Sequence, residues 1–142
     1  MATVLYTPEV LGLAVDLAGY PLDEALPLLG QARSATCGSQ LRLGLSCDAQ
    51  GRVMRVGLAA QACAIGQAAA AIFAKGATGK TPDDIDAGAQ AIRLWLAKDG
   101  AMPEWPGFEV LAAVPDYPAR HGAVLLAWNA ASQALSSTHQ QR

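Results

Sequence analysis

Two runs of strict alternation, joined by a short turn, constrain this chain more than anything else in it. Residues 40–46, QLRLGLS, alternate Leu41, Leu43 and Leu45 with Arg42, Gly44 and Ser46. Residues 52–60, RVMRVGLAA, alternate Met54, Val56 and Leu58 with Arg55 and Gly57. A two-residue period is that of a strand with one face buried, because successive side chains leave a strand on opposite sides. The intervening CDAQGR carries turn residues, so the two runs predict an antiparallel hairpin with one apolar face. That face requires a cover.

The cover is legible on both sides of the hairpin. After residue 61 the period becomes helical: Ile65, Ala69, Ile72 and Phe73 share one face, and Gly76 is placed to end the helix. Thr81, Pro82, Asp83 and Asp84 then spell a helix start, followed by Ile85, Ala89, Ile92 and Leu96 on one stripe and Gly100 as the stop. Earlier, Thr7 as N-cap, Pro8 at the first helical position and Gly19 ahead of Pro21 predict a short helix. Residues 20–39 are rich in turn formers and are read as irregular. Near the end, Val124, Trp128, Ala131 and Leu135 form a last stripe, with a polar, frayed tail from about residue 136. The proline-rich stretch 101–118 predicts at most one helical turn, around 108–113. Trp95 and Trp128 fall in register with aliphatic neighbours and are read as core. The fold class is therefore α+β: a small antiparallel sheet of two to three strands packed against several α-helices, in a single domain over residues 1–142.

Charge and length exclude several functions. Ten basic against twelve acidic side chains give a net charge of -2 without a basic cluster, which argues against nucleic acid as a partner. The uncharged stretch from Val56 to Ala74 is long enough for a bilayer, but its Ala, Gly and Gln content makes a crossing unfavourable. An odd number of cysteines without CxxC spacing, behind an opening without a signal-peptide pattern, predicts a reducing cytoplasm. GATGKT lacks the first glycine of a phosphate loop, Ala74 standing there, and follows a helix rather than a strand. Nucleotide binding is discounted.

Chemistry concentrates on the cysteines. Cys37 precedes the first alternating run and Cys63 follows the second, so an antiparallel pairing brings the two to one end of the hairpin. Cys63 also sits where strand gives way to helix, a position open to two readings: a small buried hydrophobe, or a ligand or nucleophile whose thiolate gains from helix-start N–H groups. His121, early in the last helix beside Arg120, is a further candidate, since thiolate and imidazole suit zinc and iron–sulfur centres. Cys47 at the turn is read as incidental.

Three segments carry a family resemblance, in order along the chain. SATCGSQLRLGL resembles the first-cysteine motif of the NifU/IscU/SufU iron–sulfur cluster scaffolds, GLAAQACAIGQAAAAIFAKGATGKT is similar to the second, and YPARHGAVLLAWNAASQAL resembles the third-cysteine region. With the elements between them the likeness covers roughly residues 5 to 135. It implies an IscU- or NifU-N-terminal-like fold and a cluster assembly scaffold or accessory protein, not an enzyme. It matches Cys37 and Cys63 to the first two ligand cysteines and retains Arg120 as a cationic neighbour of the cargo. It also exposes two departures: the family's acidic residue is Ser39 here, and its third cysteine is Ala123, with His121 close enough in sequence to substitute as a metal ligand. The cargo implied is a transient cluster, of the [2Fe–2S] type, and the alternative is zinc in a SufU-like sulfur acceptor. A third alternative is a metal-free module that kept the fold to bind partners. The implied partners are a cysteine desulfurase and recipient apo-proteins, and a homo-oligomer could bring cysteines from two protomers together.

Overall fold

The computed structural model describes residues 5–35 and 38–140, the last four as backbone only. Its elements are helix α1 (Pro8–Asp16), strands β1 (Leu28–Arg33), β2 (Gln40–Cys47) and β3 (Val53–Gln61), and helices α2 (Ala64–Ala77), α3 (Pro82–Leu96) and α4 (His121–Gln140). The strands form one antiparallel sheet in the order β1-β2-β3. The predicted hairpin is β2 and β3, with Leu43 opposite Leu58 and Leu45 opposite Val56. Leu41, Leu43 and Leu45 are buried on the face covered by α4 and α2.

The third strand, β1, lies inside the stretch read as irregular. Its buried position is Gly30, where the backbone of α4 comes so close that a Cβ would stand 2.1 Å from the Ala130 carbonyl oxygen. A strand whose inward residues are Leu28, Gly30 and Ala32 shows little hydrophobic alternation, because helix backbone fills the space that side chains usually fill.

The opposite face of the sheet is crossed by a strap. The Leu58 N–H donates to the Tyr20 carbonyl at 2.8 Å on the free edge of β3, and residues 21–27 then pass over the face to enter β1 at the far edge. The paired Gly44 and Gly57 make room for it: a Cβ at Gly57 would lie 2.4 Å from the Pro21 oxygen. Asp23 to Arg55 (3.6 Å) and Glu24 to Arg42 (3.0 Å) pin the strap at its surface.

Helix starts follow the predicted grammar. The Thr7 hydroxyl accepts the Val10 N–H, and Thr81 with Asp84 closes a reciprocal capping box. The two predicted glycine stops do not hold. Gly76 lies within α2, which runs to Ala77; its missing Cβ admits the Trp105 indole, whose Nε1–H donates to the Ile72 carbonyl at 2.9 Å. Helix α3 stops at Leu96 ahead of Lys98, which takes a left-handed φ of 63°, so Gly100 stands beyond the end. Four 3₁₀ turns, three of them between α3 and α4, complete the chain, and α4 runs on through Ser136 to Gln140. No helix among the described residues is long and apolar enough to cross a membrane.

Candidate functional site

The elements converge at one end of the sheet. Gln40 opens β2 opposite Gln61, which closes β3, so the β1–β2 loop and the β3–α2 junction are neighbours. The loop is tight: the Ser34 N–H donates to the Ser39 carbonyl at 2.8 Å, and the Gly38 N–H, from a positive φ of 70°, to the Ser34 carbonyl at 3.1 Å. Cys37 itself lies outside the described residues, between Ala35 and Gly38, which bracket it at this end of the sheet.

Cys63 is the N-cap of α2. Its backbone is extended (φ -64°, ψ 170°), its carbonyl accepts the Gln67 N–H at 3.0 Å, and its thiol is half-buried and free. The Gln67 side chain turns back to the Ala62 carbonyl at 2.9 Å and fixes the junction. The thiol takes no capping bond from the first helical turn. A thiolate at this position faces the positive end of the α2 dipole.

The first turn of α4 meets the first turn of α2. A Cβ on Gly66 would lie 3.3 Å from the Ala123 Cβ, and Gly66 is one helical turn after Cys63. Ala123, which the sequence resemblance matches to a third cysteine, is thus buried beside the Cys63 junction. Ser39, in place of the acidic residue, is also buried, where a neutral hydroxyl costs far less to desolvate than a carboxylate.

His121 and Arg120 point to other partners. The His121 Nε2 lies 3.2 Å from both the Val114 and Pro115 carbonyls, so it carries the proton and leaves Nδ1 as the nitrogen able to bind a metal. A backbone carbonyl on the far ring nitrogen is a common arrangement around metal-binding histidines, and equally ties α4 to the preceding turns. The Arg120 Nε donates to the Tyr6 hydroxyl at 3.2 Å. Among the described residues no three His, Cys, Asp or Glu side chains are grouped closely enough to hold a metal ion. Cys47 stands at the other end of β2, at a bulge after Ser46, where burial first and the Asp48 carboxylate second push its thiol pKa up, away from thiolate chemistry.

The arrangement has close counterparts among solved structures. A NifU-like protein (N-terminal) from Brucella abortus superposes with a TM-score of 0.88 at 25% identity, over 97% of this chain and 96% of that one. The chain has the fold of the NifU/IscU/SufU family. The proposed iron–sulfur cluster assembly scaffold protein for the SUF system (FiSufU) from thermophilic Fervidobacterium islandicum AW-1 superposes with a TM-score of 0.81 at 19% identity, over 92% of this chain and 96% of that one. No protein-family model and no curated protein sequence matches the chain. In this NifU-like fold, the residue that sequence reasoning overlooked is Gly66, whose close approach to Ala123, small like it, brings α4 to Cys63. Its only signal was its size.

Proposed function

We propose that this NifU-like chain is a non-catalytic scaffold or accessory protein of iron–sulfur cluster assembly, with Cys37 and Cys63 as the residues that receive the cargo. The observation that carries this reading is the half-buried free thiol of Cys63 at the N-cap of α2, at the same sheet end as the loop around Cys37. The scaffold description of the Fervidobacterium neighbour supports it. A [2Fe–2S] cluster needs four ligands, mostly thiolates. This chain offers two thiolates, Cys37 and Cys63, and the His121 imidazole; solvent, a small thiol, a second protomer or a recipient apo-protein would fill what remains. Incomplete ligation favours transient holding, which suits a cargo meant to be passed on.

Sulfur would arrive from a cysteine desulfurase. A Cys63 thiolate attacks the outer sulfur of the donor's persulfide, the donor S–S bond breaks, the donor leaves as a thiolate, and Cys63 carries the persulfide. A zinc-bound sulfur acceptor is the second reading, favoured by the form of the Pro118-Ala119-Arg120 region and opposed by Ser39 and the buried alanine at 123.

The test is the metal and acid-labile sulfide content of protein purified without oxygen and reconstituted with iron and sulfide, beside a Cys37→Ser, Cys63→Ser double variant. Iron with sulfide in the wild type and loss in the variant is the expected result. Zinc alone selects the second reading. Two empty proteins overturn both in favour of a metal-free binding module.

A further inference from the structure

The open face of the sheet carries a groove that the proposed cargo site does not use. Beyond the strap, a cavity of about 500 Å³ runs across the three strands, and its floor includes Gln31, Arg33, Gln40, Arg42 and Gln61. Among the described residues its only charged side chains are the two arginines, although the chain as a whole has a net charge of -2. Arg33, Gln40 and Gln61 stand opposite one another in the register of the three strands. They form a ladder: the Arg33 Nη2 donates to the Gln40 Oε1 at 3.0 Å, and the Gln40 Nε2 donates to the Gln61 Oε1. Every bond in this row runs the same way, so the row starts from a cation and ends on an amide.

An adjoining cavity of about 290 Å³ shares Gln31, Arg42 and Gln133 and continues the groove along β1 toward Leu29. There the protein shows what the groove accepts, because Glu24 of the strap lays its carboxylate on Arg42 at 3.0 Å. The Gln31 N–H, on the open edge of β1, is met by the Gln133 side-chain oxygen at 2.7 Å, an amide standing where a strand carbonyl would stand. From Leu29 to Arg33 the groove spans the length of about five extended residues, roughly 15 Å. Leu29 is half exposed and supplies an apolar contact at its far end.

We propose that this groove docks an extended acidic peptide segment of a partner protein, with one carboxylate on Arg33, a second taking the place of Glu24 on Arg42, and its main-chain amides against the glutamines. Arginine forks suit carboxylates, and glutamine amides offer donors and acceptors alike to a peptide backbone. Because Arg33 and Gln40 flank the β1–β2 loop, a segment bound here lies at the base of the loop that carries Cys37.

The test is fluorescence anisotropy with a fluorescein-labelled peptide Gly-Glu-Val-Glu-Val-Glu-Gly in low salt, compared with its Gln-for-Glu analogue. Saturable binding tighter than about 1 mM is expected. It should weaken at least about fivefold with an Arg33→Glu variant, on the order of one exposed ion pair, weaken further with the analogue, which removes every carboxylate, and survive Arg33→Lys. Arg33 is exposed, so circular dichroism should show each variant folded; if Arg33→Glu is not, Arg33→Gln takes its place. Amide shifts on binding should map to residues 29–33, 40–42 and 59–61. Absent saturation, equal binding of the two peptides, indifference to Arg33, or shifts confined to other surfaces would each overturn the proposal. The Cys37→Ser, Cys63→Ser variant should bind the peptide as the wild type does, so this result stands or falls apart from the metal test.

Discussion

At its N-terminal end α2 meets Gly66 against Ala123 and a half-buried Cys63, whereas its C-terminal half meets a stack of rings. Phe73 stacks on Trp105 at 5.5 Å between centroids and takes the edge of Trp128 at 5.2 Å, and Phe108 lies 5.5 Å from Trp128. One helix thus carries two kinds of packing. The aromatic end is held by large, shape-specific contacts with the Trp105 indole bonded to the Ile72 carbonyl and Lys80 over its ring at 5.2 Å. The cysteine end is held by the close approach of small residues, Gly66 against Ala62 and Ala123, which fixes backbone positions with few side-chain atoms.

The largest effect should come from breaking the aromatic end. Trp105→Ala removes two ring contacts and leaves the Gly76 cleft empty, and should cost about 3–5 kcal/mol in urea unfolding. Cys63→Ser changes one half-buried atom and should cost under about 1 kcal/mol. Equal losses from the two variants would show that the cysteine end is as much a structural element as the aromatic one.

The same contrast explains what the sequence disclosed. The hairpin, the helix starts at Thr7 and Thr81 and the Trp95 and Trp128 stripes were readable because each is a local pattern: alternation, a capping residue, a helical period. Strand β1 was not, since its inward Gly30 packs on the Ala130 carbonyl and gives no hydrophobic signal. Gly76 misled for a related reason: a glycine that admits Trp105 from far along the chain looks, locally, like a helix stop. At the candidate site, the convergence of the two cysteine-bearing segments followed from strand order alone. The burial of Ser39 and Ala123, and the turning of His121 toward Val114 and Pro115, depend on tertiary packing that no short motif encodes.

A sharper probe of the cysteine end is Ala123→Cys. The added sulfur enters a buried position beside Gly66 and should cost about 1–3 kcal/mol by overpacking. In exchange it restores a third thiolate next to Cys63, and competition against a chromophoric chelator should show zinc held at least about tenfold more tightly, the low end of what one ligand contributes. Unchanged zinc affinity in a folded variant would mean that the small-residue contact between α2 and α4 is not part of a ligand site.

Helix α3 borders the aromatic end and tests the comparison more gently. Thr81→Ala removes the hydroxyl that accepts the Asp84 N–H and should cost about 1 kcal/mol, a fall of about 2–4 °C in Tm. The loss should be the same with Cys63→Ser in the background, because the two sites share no partner. Coupling between them would mean that the two ends of the molecule are not independent.

The smallest expected effect is a pH dependence from the same cap. Asp84 accepts the Thr81 N–H at 3.0 Å, and that bond, with a second to the Thr81 side chain and then nearby Lys80 and Arg52, holds its carboxyl pKa below the usual range despite a slight opposing desolvation. The unfolded chain has the ordinary value of about 3.9 and binds the proton first as pH falls. Stability from this group is therefore fully present above that value and is lost as pH drops through the lower folded value. Asp84→Asn should flatten that acid-side slope by lowering Tm slightly at neutral pH while leaving Tm close to that of wild type once the pH is below the folded value. An unchanged slope would mean that the Thr81–Asp84 cap, and with it the start of α3, does not set the acid limit of the fold.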